Sequence, residues 1–280
     1  VNEPDAAPAG SQPAPSNLVM RVLAALVLAP LAIALAYAGG WLWALLVTLV
    51  SIGLFAEWLM VVGAGSVALT GAGTIVIAMM GSCVAFGALK TAVITGLIGG
   101  TIVTVIARGK FVWAASGFAY ASAALLASIL VRQDLVNGFA ALMFVLLVVW
   151  ATDIGGYFAG RGIGGPKLWP RVSPKKTWSG ALGGFAASLL VAAAFAACGL
   201  GKMVPLLLVS GILSVVSACG DLFESAVKRR FGVKDSSHLI PGHGGLLDRL
   251  DGFVAAILVA WIIGFLRHGV HSAGSGLMVW

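Results

Sequence analysis

The chain has 280 residues, 60% of them hydrophobic and only 10% charged, against about 25% charged in a soluble domain. That composition excludes an ordinary water-soluble globule and places the chain in a bilayer. Lys and Arg number 17 against 10 Asp and Glu, but membrane proteins concentrate positive charge in cytoplasmic loops, so nucleic acid is not an expected partner.

The predicted elements begin after a Pro-, Ala- and Ser-rich stretch, residues 1–16, which reads as a disordered tail. Arg21, the apolar run to Ala36 and the triplet Ala36-Tyr37-Ala38 also fit a cleavable signal peptide. A single Arg and a second span directly behind it favour a retained first helix. A spanning helix needs roughly 20 apolar residues, and the runs predict nine spans, at roughly 18–38, 41–62, 67–88, 91–107, 112–131, 138–159, 180–200, 203–224 and 252–267. The expected fold is therefore all-α, a polytopic integral membrane helix bundle with about nine transmembrane helices. Trp41, Trp43 and Trp113 sit where interfacial aromatics belong. Gly96 and Gly100 form one GxxxG pair, a weak packing signal. Cys83, Cys198 and Cys219 are isolated in apolar runs and read as buried, inert thiols. No internal repeat of the transporter kind is evident. We expect one membrane domain, 17–280, in which helices 17–137 are scaffold and 138–267 carry the chemistry.

Two connections differ from the rest. Residues 160–179 hold Arg161, Lys167, Arg171, Lys175 and Lys176; residues 228–251 hold Lys228, Arg229, Arg230, Lys234 and Arg249, so the two contain ten of the 17 basic residues. Two spans separate them, which puts them on one side, and the positive-inside rule makes that side cytoplasmic. The same parity places Arg21, Arg108 and Lys110 inside and Arg267, His268 and His271 outside. The compact chain and the lack of a transit sequence point to a bacterial inner membrane.

Six of the ten acids lie between Asp153 and Asp251. An ionisable group at membrane depth costs several kcal/mol unless it pairs or lines a wet cavity, so Asp153, Asp221 and Glu224 are candidates for function, the competing reading being a structural ion pair. On one helix Asp221, Glu224 or Ser225, and Lys228 share a face. Asp248 and Asp251, three residues apart at the start of the last span, can bring carboxylates toward Asp221 around a hard cation. Magnesium suits such oxygen ligands; zinc does not, because His243 has no companion at ligand spacing. Pro241 to Gly245 has no bulk except the imidazole, so its backbone N–H groups can close on a phosphate, or form a plain turn. Ser173-Pro174-Lys175-Lys176-Thr177-Trp178 supplies two cations and two hydroxyls suited to polyphosphate, or is simply a positive loop.

Ser225-Ala-Val-Lys228-Arg229, four residues on Lys234-Asp235, then Ile240-Pro241-Gly-His243-Gly244-Gly245-Leu246-Leu-Asp248-Arg249-Leu250-Asp251 resembles the signature of the CDP-diacylglycerol synthases, or phosphatidate cytidylyltransferases, without departure over 27 positions. Asp153-Ile-Gly-Gly-Tyr157-Phe158 and Ser173 to Trp178 look like family segments too; after that Trp many members carry Glu or Gln, whereas this chain has Ser179-Gly180. The N-terminal half matches mainly as a hydrophobic bundle, with Asn17-Leu18 and Arg21 at a family-like start. The resemblance implies transfer from CTP to phosphatidic acid with Mg²⁺ and, in some members, a monovalent cation such as K⁺. By that analogy Asp221 and Asp248 are first choices as metal ligands, with Asp251 and Asp153 next. Asp221, Asp248, Lys228, Arg249 and His243 would be catalytic. Ser173, Lys175, Lys176, Thr177, Ser225, Arg229, Lys234, Gly244 and Gly245 would bind substrate. Expected partners are CTP, phosphatidic acid, membrane lipids and a second copy of the chain. Two other readings stay open: another membrane nucleotidyl- or glycosyl-phosphotransferase, and an ion-coupled transporter.

Overall fold

The computed structural model describes residues 17–237 and 244–280. The expected disordered tail, 1–16, and the segment 238–243, with Pro241 and His243, lie outside the described residues.

In hydrocarbon each backbone N–H and C=O must be satisfied within its own segment, so the apolar runs become helices. Nine helices of 19 residues or more are present among the described residues: α1 (Asn17–Ala38), α2 (Gly40–Val61), α3 (Val67–Ala85), α4 (Leu89–Ala107), α5 (Phe111–Arg132), α6 (Gly138–Gly162), α7 (Trp178–Ala197), α8 (Met203–Arg230) and α9 (Leu247–His268). A short α10 (Ala273–Met278) follows. Among the described residues, seven stretches are long and apolar enough to cross a membrane, and one of them, Leu89–Arg132, has 44 residues. A straight helix of that length would run about 66 Å, roughly twice a hydrocarbon core. Arg108 breaks it with a φ of 46°, and α5 returns beside α4. Leu26–Ala38 of α1 is a shorter apolar stretch. The expected polytopic all-α bundle is the observed fold.

Several boundaries moved. α6 and α8 run past the predicted span ends at 159 and 224, and α9 starts at 247 instead of 252. Hydropathy reports the extent of hydrocarbon, whereas helices continue past it wherever their end groups find partners. The loop between α6 and α7, predicted without strands, holds an antiparallel hairpin of β1 (Lys167–Trp169) and β2 (Ser173–Thr177), with Lys167 opposite Thr177 and Trp169 opposite Ser173.

Helices α6 and α7 pack closely against each other. A Cβ on Gly180 would lie 2.9 Å from the Gly156 carbonyl oxygen, and one on Gly155 would lie 2.9 Å from that of Gly183. Backbone thus meets backbone, the small-residue packing that bilayers favour. Gly96 instead faces Met80 on α3 and Gly100 faces Phe118 on α5, so that pair forms no common seam. Two other expectations are corrected. Trp43 is buried, not interfacial, and its indole N–H donates to the Ser128 carbonyl at 3.1 Å. Cys198 and Cys219 are exposed and Cys83 half-buried, because their helix faces turn outward.

The connections fall on two faces. On one, Lys110 Nζ donates to the Val62 and Gly63 carbonyls at 2.9 and 2.7 Å, joining the α4–α5 turn to the α2–α3 turn. Arg230 at the end of α8 lies over the Trp113 ring at 5.4 Å on the same face. On the other, Arg132 donates to the Ala36 and Tyr37 carbonyls at 2.5 and 2.8 Å, and Gln133 to that of Val84 at 3.0 Å. The alternation matches the predicted parity.

Asp134 organises the second face. Its carboxylate accepts from the N–H groups of Val136 (2.9 Å), Asn137 (3.0 Å) and Ser275 (2.5 Å), tying α10 to the α5–α6 turn. Burial opposes the charge, yet the N–H donors of Asn137 and Ser275, aided by Val136, hold this carboxyl below its usual range. Asp134→Ala should cost about 2–3 kcal/mol, the scale of hydrogen bonds to a charged group. Because the folded value lies below the unfolded one, the contribution is complete above the ordinary carboxylate range near about pH 4 and fades as pH falls through the lowered value. Melting curves of both proteins should differ most near neutrality and converge in acid.

Candidate active site

The acids and cations singled out by the sequence gather where α6, α8 and α9 reach the first face. α8 and α9 touch closely there: a Cβ on Gly220 would lie 2.8 Å from the Asp251 carbonyl oxygen, and one on Gly252 would lie 2.5 Å from Ser217 Oγ. That contact sets Asp221 and Asp251 on adjoining helix faces. Asp221 from α8 and Asp251 from α9 are each within electrostatic reach of Asp153 from α6 and of Glu224 from α8. Among the described residues no three His, Cys, Asp or Glu side chains form a ready metal cage.

Each acid has different partners. Asp221 forms an ion pair with Lys176 from β2, which brings the first basic loop against α8. Its other oxygen takes the Ser225 hydroxyl at 3.3 Å. Glu224 and Lys228, one helical turn apart, pair at 2.7 Å, and the buried Glu224 Oε1 has no hydrogen-bond partner among the described residues. Lys228 also reaches Asp248 Oδ1 at 2.5 Å. With 8% of its surface exposed, it is a buried cation between two carboxylates.

Asp248 belongs to the first turn of α9, where a negative side chain is favoured by the helix dipole. Besides Lys228 it accepts from Ser236 N at 3.2 Å (Oδ1) and 3.0 Å (Oδ2) and from Gly245 N at 3.0 Å. Its oxygens thus face protein donors, while Asp221, Asp251 and Asp153 form a separate acidic group. Gly244 adopts a φ of +85°, a conformation that favours glycine. A Cβ on Gly245 would overlap Ser236 Oγ.

The remaining predicted residues divide between surface and frame. Lys175, Lys234 and Arg229 are exposed, and the Arg229 guanidinium donates to the Val233 carbonyl at 3.3 Å. Arg249 lies within electrostatic reach of Asp153. Ser173 begins β2, half-buried. Thr177 is buried, and its hydroxyl caps α7 by accepting from Gly180 N at 3.1 Å. Ser179 bonds to the Gly164 carbonyl and approaches Thr177 Oγ1 at 3.0 Å. His243 lies outside the described residues.

One residue was missed. Glu57 on α2 is 1% exposed, and its carboxylate accepts from the hydroxyls of Ser236 (2.8 Å) and Ser237 (2.6 Å) and the N–H groups of Leu246 (2.9 Å) and Leu247 (2.8 Å). A lone acid inside the apolar run 41–62 was the available signal, by the same rule that selected Asp153.

The arrangement combines carboxylates of α6, α8 and α9 with Lys176 from β2 and the buried Lys228 of α8. A family model described as the cytidylyltransferase family matches residues 19–266. The chain belongs to the cytidylyltransferase family. Among curated members, the phosphatidate cytidylyltransferase of Brucella suis biovar 1 (strain 1330) is 42% identical over 269 residues, 92% of this chain and 98% of that protein. Proteins of the same name from Haemophilus influenzae and Bacillus subtilis are 47% identical over 131 residues and 44% identical over 122. These shorter matches cover 45% and 42% of this chain, and 46% and 44% of those cytidylyltransferases.

Proposed function

We propose that this chain transfers the cytidylyl group of CTP to phosphatidic acid, yielding CDP-diacylglycerol and diphosphate. The observation that carries this reading is the meeting of acidic helix ends with Lys176 and Lys228 on one face of a cytidylyltransferase-family bundle. A lipid substrate calls for such a site at a membrane surface, open also to a soluble nucleotide. The concentration of Lys and Arg on this face supports a cytoplasmic orientation, in an inner membrane.

In this reading an oxygen of the lipid phosphate attacks the α-phosphorus of CTP. The bond from that phosphorus to the bridging oxygen breaks, and diphosphate leaves with the electron pair. A phosphate monoester is largely ionised near neutral pH, its second pKa being about 6, so the step needs no strong base. Positioning and charge neutralisation then dominate. Lys175, Lys176, Arg229, Lys234 and Arg249 hold the triphosphate and the lipid head, Lys228 and Asp248 fix the α8–α9 junction, and His243 serves the leaving oxygens.

Magnesium fits the donor set: Asp221, Asp251 and Asp153 offer hard oxygens, and Glu224 Oε1 is a buried oxygen without a hydrogen-bond partner among the described residues. Those residues, with Asp248 as a further ligand, would hold it. When bound it would neutralise charge on phosphate oxygens. A monovalent cation is a second proposed ion. Purified protein should convert labelled CTP and phosphatidic acid to a CDP-lipid only when Mg²⁺ is supplied. Asp221→Asn should raise the Mg²⁺ concentration for half-maximal rate roughly 10–100-fold, on the scale of losses at metal sites. Turnover that survives chelation, or an unchanged Mg²⁺ dependence in the variant, would overturn the metal assignment.

A further inference from the structure

Glu57 is a carboxylate whose acceptor capacity is filled by residues about 180 positions away. Oε1 takes the Ser237 hydroxyl and the Leu246 N–H; Oε2 takes the Ser236 hydroxyl and the Leu247 N–H. An ionised carboxylate accepts at about four lone-pair sites and donates at none, so two hydroxyls and two amides saturate it. Leu246 and Leu247 supply the free N–H groups at the start of α9, and a carboxylate is the natural cap for them. Ser236 is shared: its hydroxyl goes to Glu57 and its N–H to Asp248. Gly245 is shared as well, since its N–H goes to Asp248 while a Cβ there would lie 2.6 Å from Glu57 Oε2.

We propose that Glu57 is a positioning residue for the transfer reaction, acting through Ser236, Ser237 and residues 245–247 to fix Asp248 against Lys228. It touches neither Asp248 nor Lys228 in any contact described above, so its influence passes through the shared serine and glycine. The N-terminal helices therefore do more than scaffold the site, because α2 sets the start of α9. The proposal rests on the cytidylyltransferase reading. It also explains why glutamine would not replace this glutamate: one amide oxygen accepts from two donors, and the NH₂ group then points at the other two.

The experiment measures kcat, KM for CTP and amide hydrogen exchange for the full chain in nanodiscs, with Glu57→Gln, Glu57→Asp and Ser237→Ala. Glu57→Gln should lower kcat roughly 10–100-fold, the range for residues that orient a first shell. KM for CTP should change less than threefold, and exchange should quicken at Leu246 and Leu247 while the other helices keep their protection. Glu57→Asp should recover part of kcat, and Ser237→Ala, which removes one donor and leaves the other three, should lower it several-fold with the same local exchange. Wild-type kcat in Glu57→Gln, or exchange that rises equally throughout the bundle in both Glu57→Gln and Ser237→Ala, overturns the positioning role. Absence of turnover in the wild-type chain overturns the cytidylyltransferase reading instead, and the exchange data then report on the clamp alone.

Discussion

Asp248→Asn should lower turnover of CTP with phosphatidic acid about 1,000-fold, the upper range for loss of a single electrostatic group in an active site. The carboxylate accepts from Lys228 Nζ at 2.5 Å and from the N–H groups of Ser236 and Gly245 at 3.0 Å. Asparagine retains one acceptor oxygen and turns an NH₂ group toward donors that previously met an oxygen. It also removes the charge that draws Lys228 toward α9, leaving the ammonium with Glu224 alone. Folding stability should fall by about 1.5–3 kcal/mol, the scale of a hydrogen bond to a charged group. The bundle should nevertheless remain assembled, because Glu57 still holds Leu246 and Leu247. Rates on purified variant, with size-exclusion profile and melting temperature beside them, decide the matter; turnover within threefold of wild type would remove Asp248 from the machinery. The Mg²⁺ dependence separates its two possible duties. A changed half-saturation assigns it to the metal, and an unchanged one assigns it to holding Lys228 and the loop.

The helices were legible because hydrocarbon imposes one demand over about 20 residues at a time, and most of the runs from Leu18 to Phe265 meet it. The shared face of Asp221, Ser225 and Lys228 was legible as well, since helical spacing alone fixes it. Parity predicted that the two basic loops share a side, and Lys176 of the first loop pairs with Asp221 on α8, the helix that leads into the second. What escaped was long-range. Glu57 looks like a stray acid in a scaffold helix until Ser236 and Leu247 arrive from the other half of the chain. Asp248 was legible as a carboxylate one turn before Asp251, but its contacts with Lys228 and Ser236 come from outside its own helix and spacing does not show them. The β1–β2 hairpin was hidden because strands of three and five residues are too short for an alternating pattern to emerge from a Gly-, Pro- and Lys-rich loop. Trp43 resembled an interfacial anchor by its place near a helix start, yet the helix face that carries it turns into the bundle.

Lys228→Met should lower turnover by roughly 100–1,000-fold, as for loss of a group stabilising charge in an active site, and destabilise the fold by about 3–5 kcal/mol, the cost of breaking a buried pair by removing one partner. Lys228 lies 2.7 Å from Glu224 Oε2 and 2.5 Å from Asp248 Oδ1, and no other ion pair to either acid is present among the described residues. Methionine fills the volume but leaves two carboxylates facing each other without a cation. The stability and the rate should part company in a double variant. Glu224→Gln with Lys228→Met removes both members of the intrahelical pair, so much of the lost stability should return, since replacing a buried ion pair whole is often close to neutral. Turnover should not return, because Asp248 still lacks its cation. Melting temperature and kcat measured across wild type, both single variants and the double variant give the coupling between the two positions. Joint recovery of rate and stability would assign Lys228 a purely structural role; recovery of stability alone assigns its charge to the chemistry.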